Sequence, residues 1–115
     1  MIKHNIRPTR FYSNKQEKAV AKAVGGKKVA NSGATAFDKG DVTTVDFLIE
    51  CKTTTTEKAS FSIKKEWLEK NHAEAFAVGK HHSALAFQFG EGQPNYYVID
   101  EKQFKEYLYL LEEVK

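Results

Sequence analysis

Asp41, Glu50 and Lys52 are the residues of this chain whose types and spacing are best suited to chemistry. Glu50 and Lys52 flank Cys51 directly after the apolar run 47–49, a pattern typical of a buried strand. Because side chains alternate along a strand, Glu50 and Lys52 share one face, about 6.7 Å apart along the chain. Burying such a pair is costly unless both charges find partners. The pair therefore indicates a functional site rather than a packing position.

Two carboxylates and an amine within this segment match the needs of metal-assisted phosphodiester hydrolysis. Mg²⁺ binds a few carboxylate oxygens and leaves its remaining positions to water and substrate. Asp41 and Glu50 can provide those oxygens, and Lys52 can orient or help deprotonate an attacking water and oppose the phosphate charge. We therefore expect Mg²⁺ or Mn²⁺ as the cofactor.

Charge is unevenly distributed along the 115 residues, a length that suits one domain. Residues 1–40 carry nine Lys or Arg against two acids, a net charge of +7, whereas residues 41–115 carry nine against thirteen, or −4. A cationic region upstream of an acidic site suits a polyanion held by its backbone. A solvated lysine-rich helix with a basic tail is the alternative, and charge alone does not decide between them.

Other features limit the possible classes. No apolar run reaches the length of a membrane span, and the N-terminus lacks the apolar core of a signal peptide, so we expect a cytoplasmic protein without membrane partners. Cys51 is the single cysteine and is expected to be a small buried hydrophobe. The four histidines form no zinc-binding pattern, and His81-His82 suits a solvated turn or a phosphate contact.

The first half of the chain predicts one helix followed by strands. Ser13 or Asn14 can cap a helix that runs to Val24 and stops at Gly25-Gly26. Its expected apolar stripe is Ala19, Val20, Ala23 and Val24, with Glu17 on or beside the inward face.

Strands are predicted at residues 27–30, 41–45 and 46–54, and the last two either pair as a tight hairpin or form one bent strand. This ambiguity leaves Asp46 as the alternative to Asp41, because Asp46 has the same strand parity as Glu50 and Lys52. Only eight residues separate Asp41 from Glu50, which is short for a hairpin. We favour Asp41, since Asp46 is equally suited to a turn or capping role.

The second half predicts helix, strand, strand and helix. Ser60 or Ser62 can cap a helix over residues 63–78, strands follow at 84–89 and 96–99, and Asp100 with Gln103 forms a capping box for a last helix to Glu113. The expected inward residues of the two helices are Trp67, Leu68, Ala75 and Val78, and Phe104, Leu108 and Leu111. This order implies an α/β fold with a mixed sheet flanked by helices.

Asp41 followed by Glu50-Cys51-Lys52 after a hydrophobic run resembles the active site of the PD-(D/E)XK nuclease superfamily. Within it, the chain is most similar to small phage and archaeal Holliday junction resolvases. The similarity covers most of the chain and lacks the superfamily's proline before the aspartate. The segments that carry it are Gln16-Glu17, Asn31-Ser32-Gly33, Lys39-Gly40-Asp41-Val42 and Leu48-Ile49-Glu50-Cys51-Lys52-Thr53-Thr54, with the helix and hairpin that follow.

The resemblance implies a restriction-endonuclease-like core and a metal-dependent endodeoxyribonuclease, here a resolvase that cuts branched DNA as a homodimer. Residues 1–12 would form a basic N-terminal arm and residues 13–115 a single nuclease domain, in the host cytoplasm if the protein is phage-encoded. In such resolvases a glutamate on the first helix joins the metal, and the match is Glu17. The backbone carbonyl of Cys51 completes the expected ligand set. A nuclease of the same superfamily acting on linear DNA, or a non-catalytic DNA-binding module with this fold, is the alternative.

Contacts to DNA are expected from residues around this site. For Lys64, at the start of the second helix, a phosphate contact and simple solvent exposure are both open. The expected DNA-binding residues are Arg7, Arg10, Lys15, Lys27, Lys28, Ser32 and Lys64.

Overall fold

This computed structural model describes residues 9–29 and 41–114 of the chain. The described residues form an α/β domain with a five-stranded mixed sheet and three helices. In chain order the elements are α1 (Thr9–Val24), β1 (Lys27–Lys28), β2 (Val42–Thr43), β3 (Phe47–Lys52), α2 (Lys65–Ala77), β4 (His82–Phe87), β5 (Tyr96–Val98) and α3 (Glu101–Glu113).

The strands lie in sequence order, β1 to β5, across the sheet. Only β3 and β4 pair in parallel, and the other neighbours are antiparallel. The strands β2 and β3 form a tight hairpin with Val42 opposite Ile49, which settles the alternative that the sequence left open. Thr44 closes the turn, because its backbone N–H donates to the Phe47 carbonyl and its hydroxyl accepts from the Phe47 N–H, both at 3.0 Å.

Helix α1 covers one face of the sheet, where Val20 packs in the buried core with Val42 and Ile49. The helix begins at Thr9, so the predicted start at Ser13 or Asn14 was wrong, and residues 9–12 of the expected arm are helical. It ends as predicted at Val24, and the following Gly25 has a φ of 69°, which suits glycine.

The inward row of α1 differs from the predicted stripe. Gln16 and Val20 are buried, four residues apart, while Ala19 and Ala23 are exposed. A polar Gln16 is tolerated inside because its amide is hydrogen-bonded to the sheet. The spacing of apolar residues in a helix does not identify a buried polar residue of this kind.

Helix α2 lies on the opposite face of the sheet. It begins at Lys65, with Lys64 as its N-cap residue, rather than at Ile63 after a serine cap. Asn71 and Ala75 are its buried residues, and the Asn71 amide donates to the carbonyls of Leu48 and Ala84 at 3.3 and 3.0 Å. The prediction of Leu68 and Val78 as inward residues was wrong, since they are 36% and 44% exposed.

Helix α3 is attached to the sheet by its first two turns. The predicted cap is confirmed, because the Asp100 carboxylate accepts from the Gln103 N–H at 2.9 Å. The Gln103 side chain is buried and exchanges two hydrogen bonds of 2.8 Å with the Ser83 backbone.

The inward face predicted for α3 was wrong, because Phe104, Leu108 and Leu111 are 53%, 42% and 60% exposed. Gln103 takes the buried position of the helix instead, and this apolar stripe is exposed. Among the described residues, no helix is long and apolar enough to cross a membrane.

Candidate active site

The strand β3 places Glu50 and Lys52 on one face, as the alternation of side chains predicts. The Lys52 ammonium lies 3.3 Å from Glu50 Oε2, and the two side chains are 28% and 24% exposed. Ile49 and Cys51 point to the other face and belong to the α1 side of the core. A charged pair therefore sits half-buried at the end of an otherwise apolar strand.

The hairpin register brings Asp41 to the same strand end. Its backbone N–H donates to the Ile49 carbonyl at 3.0 Å, and its carboxylate Oδ2 accepts from the Cys51 N–H at 2.8 Å. The carboxylate is thus fixed against β3 next to Glu50. This contact requires the short turn that the eight-residue separation first made doubtful.

Glu17 reaches the cluster from α1. Its carboxylate lies within hydrogen-bonding reach of Asp41, and its Oε1 is 3.6 Å from the Lys28 ammonium. The neighbouring residue Gln16 fixes this turn of α1, because its amide donates to the Lys52 carbonyl at 2.9 Å. Glu17 on α1 therefore lies close enough to Asp41 and Glu50 for the three acids to interact electrostatically, and Lys52 is paired with Glu50.

Burial raises the pKa values of all three acids. The pKa of Asp41 rises to about 6, mainly through loss of solvent and further through the nearby charge of Glu17, against the lowering effect of the Cys51 N–H. The pKa of Glu50 is raised by burial and then by Asp41, and that of Glu17 is raised by burial despite Lys28. The cluster is therefore short of positive charge when all three carboxylates are ionised.

The donor set suits a hard divalent cation, since carboxylate oxygens are its preferred ligands and a cation would relieve the mutual repulsion of the three acids. In the arrangement of the described residues, no three acidic, histidine or cysteine side chains already converge as a metal-binding group. Glu17 and Glu50 are instead paired with Lys28 and Lys52. Asp41, Glu50 and Glu17 are the residues that would hold the ion. The Cys51 carbonyl, the fourth expected ligand, belongs to the residue whose N–H binds Asp41.

Asp46 lies at the opposite end of β3, in the hairpin turn. Its carboxylate is 58% exposed and lies 3.7 Å from His81 Nδ1. The register of the hairpin thus separates the two candidate aspartates by the length of β3, and the geometry favours Asp41. His81 and His82 lie at that distant end as well, with His82 opening β4.

The expected DNA-binding residues differ in their exposure and in the groups they contact. Arg7 and Ser32 lie outside the described residues. Arg10 and Lys27 are exposed, Lys15 forms an ion pair of 2.6 Å with Glu91, and Lys28 belongs to the acid cluster. Lys64 contacts the Trp67 ring, with its ammonium 5.8 Å from the ring centroid.

Sequence reasoning missed two neighbours of the site. Glu74 on α2 contributes a further negative charge that raises the Glu50 pKa, and its side chain is 12% exposed and paired with Lys70 at 3.7 Å. Lys28 was expected to bind DNA, and its pairing with Glu17 was not foreseen. No local pattern signals either contact, because both depend on how the helices dock on the sheet.

The Cys51 thiol faces the core, and burial raises its pKa well above the usual range, so it stays protonated. This agrees with the expectation that Cys51 is a small hydrophobe that packs against the core.

Comparison of the chain with protein-family models, with curated proteins and with solved structures finds no match. The residues of the site are therefore the basis for assigning a function.

Proposed function

We propose that this protein is a metal-dependent endodeoxyribonuclease with a restriction-endonuclease-like core, and that it resolves branched DNA as a homodimer. The observation that carries the proposal is the placement of Asp41 and the Glu50–Lys52 ion pair at one end of β3, with Glu17 approaching from α1. A structural role alone does not explain three neighbouring acids whose pKa values are all raised by burial.

Each side chain has a defined task in this proposal. Asp41 is oriented by the Cys51 N–H, and with Glu50 and Glu17 it would hold Mg²⁺ or Mn²⁺. The bound ion would activate water and neutralise charge at the scissile phosphate. Lys52 lies beside Glu50 and would orient the attacking water and oppose the developing negative charge.

The substrate and the dimer are the further parts of the proposal. Exposed cations on and after α1, among them Arg10 and Lys27, support binding to a nucleic-acid backbone. The exposed stripe of Phe104, Leu108 and Leu111 supports a second copy as partner, since contiguous exposed apolar surface is typical of interaction sites.

One experiment tests the catalytic assignment. The protein is incubated with Mg²⁺ and a labelled four-way junction beside the linear duplex of the same sequence, and the cuts are mapped. Wild-type protein is expected to introduce paired symmetric nicks at the junction. Glu50→Ala and Lys52→Ala are expected to abolish cleavage while DNA binding persists, and Lys65→Ala, on the exposed surface of α2, is the matched control.

The alternatives give different results in the same assay. Normal cutting by Glu50→Ala or Lys52→Ala would reject the assignment of the site. Cleavage of duplex and junction alike would replace the resolvase with a nuclease for linear DNA. Binding that needs no metal, without cleavage of any substrate, would instead indicate a non-catalytic DNA-binding module.

A further inference from the structure

Trp67, the single tryptophan of the chain, lies between two lysines at the edge of the acid cluster. The Lys52 ammonium is 4.5 Å from the centroid of the Trp67 ring, and the Lys64 ammonium is 5.8 Å from it. Both distances are within the range of a cation–π interaction, in which the negative face of the ring attracts the cation. Packing alone does not require two cations on one ring.

The Trp67 ring packs against a neighbouring aromatic ring. Trp67 lies in the first turn of α2, where its backbone N–H donates to the Lys64 carbonyl at 3.0 Å. Its ring packs edge-on with Phe61, with 6.5 Å between the ring centroids. The two ammonium groups sit on long flexible stems. The indole therefore limits the positions that these ammonium groups adopt.

The two ammonium groups at the ring differ in their pairing with carboxylates. Lys52 is paired with Glu50, but no carboxylate of the described residues lies within 4.0 Å of the Lys64 ammonium. Two like charges on one ring repel each other, and an anion beside them would relieve this repulsion. The two nitrogens are at most about 10 Å apart, the sum of their distances to the ring. Successive phosphates of one DNA strand rise by about 3.4 Å along the helix axis, so two neighbouring phosphates fit within this upper limit.

We propose that Trp67 is a positioning residue that holds Lys52 and Lys64 as a clamp for neighbouring phosphates of one DNA strand. Lys52 would then contact the scissile phosphate, and Lys64 would contact a phosphate next to it. The inference rests on the proposed nucleic-acid function. It extends that function because it assigns the phosphate contacts of the cut strand to Lys52 and Lys64, both positioned by Trp67.

The test measures binding without cleavage. A labelled DNA duplex is titrated in EDTA at low salt, with anisotropy as the readout, against wild-type protein, Trp67→Leu, Trp67→Phe, Lys64→Met and the double variant Trp67→Leu/Lys64→Met. A cation–π contact of about 0.5–1 kcal/mol corresponds to a change in Kd of about two- to fivefold, which is the expected loss for Trp67→Leu. Trp67→Phe is expected to recover most of it, because the aromatic face is kept.

Coupling separates the clamp from simple loss of charge. Lys64→Met is expected to weaken binding less in the Trp67→Leu background than in wild type, whereas Lys65→Met, the neighbouring lysine paired with Glu69, is expected to act equally in both. The emission of Trp67 in the wild-type protein is expected to change on DNA binding. This readout needs no variant and therefore does not depend on the folding of Trp67→Leu.

Three results would overturn the clamp: Trp67 emission that DNA leaves unchanged, Trp67→Leu binding with wild-type affinity, or additive effects of Trp67→Leu and Lys64→Met. If Mg²⁺-dependent cleavage nevertheless occurs, the proposed function stands without the clamp. Coupled binding by a protein that cleaves no DNA would support the clamp and reject the catalytic function.

Discussion

The side-chain amide of Gln16 donates a hydrogen bond of 2.9 Å to the backbone carbonyl of Lys52. The same nitrogen lies 3.3 Å from the Ala86 carbonyl and 2.9 Å from Asn95 Oδ1. One buried amide thus ties α1 to β3 and β4. Because Glu17 is the next residue in α1, this contact also fixes where its carboxylate stands relative to Glu50.

Replacement of Gln16 by Leu tests this relationship. The variant introduces an apolar side chain of similar size but leaves the carbonyls of Lys52 and Ala86 without their donor. We therefore expect a loss of about 1–3 kcal/mol in the free energy of unfolding. Cleavage per folded molecule is expected to fall as well, since Glu17 loses its support. Urea denaturation and Mg²⁺-dependent junction cleavage measure the two effects.

Gln103→Leu is the matched control for this prediction. Gln103 is also a buried glutamine that binds backbone groups, but its partner is Ser83 at the α3 end of the sheet. A similar loss of stability with unchanged cleavage per folded molecule is expected. Equal loss of cleavage in both variants would show that instability, and not the position of Glu17, limits activity.

The two candidate aspartates are distinguished by a pair of isosteric changes. Asp41→Asn removes a charge from the acid cluster and is expected to lower the cleavage rate at least about 100-fold, the scale of losing one preorganised electrostatic group. Asp46→Asn changes an exposed residue of the hairpin turn and is expected to leave the rate within about twofold. Single-turnover rates measure both effects. If Asp46→Asn lowered the rate and Asp41→Asn did not, the metal ligand would be Asp46.

The raised pKa of Asp41 predicts a distinctive pH dependence of stability in the metal-free protein. Its pKa is about 6 in the folded state against an ordinary value of 3.8, so folding favours the protonated acid. This contribution is complete below pH 3.8 and is lost as the pH rises through about 6.

Asp41→Asn is therefore expected to be more stable than wild type at pH 8, by about 1–2 kcal/mol after allowance for its partial exposure. The difference should shrink as the pH falls below 6. Thermal or urea unfolding in EDTA at both pH values measures it, and Asp46→Asn serves as the control. If the wild-type protein were more stable than Asp41→Asn at pH 8, this would contradict the conclusion that burial raises the pKa of Asp41.

Metal binding should show the opposite pH dependence, because the ion requires deprotonated carboxylates. Mn²⁺ or Mg²⁺ is expected to raise the melting temperature at pH 8 and to have little effect at pH 5, where Asp41 is largely protonated. Glu50→Gln should reduce the metal-dependent shift. An equal shift in wild type and Glu50→Gln would show that the ion binds elsewhere.

The apolar stripe of α3 predicts the behaviour of the dimer. Leu108→Gln with Leu111→Gln is expected to produce monomers with nearly unchanged monomer stability, since both side chains are largely exposed in the single chain. Leu110→Gln is the control, because Leu110 is 60% exposed but lies on the other side of the helix. Sedimentation equilibrium measures the mass. A wild-type monomer at high concentration, or a variant that stays dimeric, would contradict this interface.

The local signals in the sequence were reliable where a short stretch decides the structure. Gly25 and Gly79 end helices with positive φ, and Asp100 caps α3 through the Gln103 N–H. The second half of the predicted capping box is absent, because the Gln103 side chain binds the Ser83 backbone instead. The helix faces were less predictable, since Gln16, Asn71 and Gln103 are buried in place of apolar residues. A buried polar side chain depends on distant backbone partners, which no periodicity in its own helix reveals.

The sequence alone determined that Glu50 and Lys52 share a face, because the alternation of a strand is a local property of the backbone. Only the tertiary structure decided that Asp41, and not Asp46, lies beside them, because the register of the β2–β3 hairpin sets that contact. The approach of Glu17 and the shared ring of Trp67 were decided in the same way. They depend on how α1 and α2 dock on the two faces of the sheet, and those contacts join residues far apart in the chain.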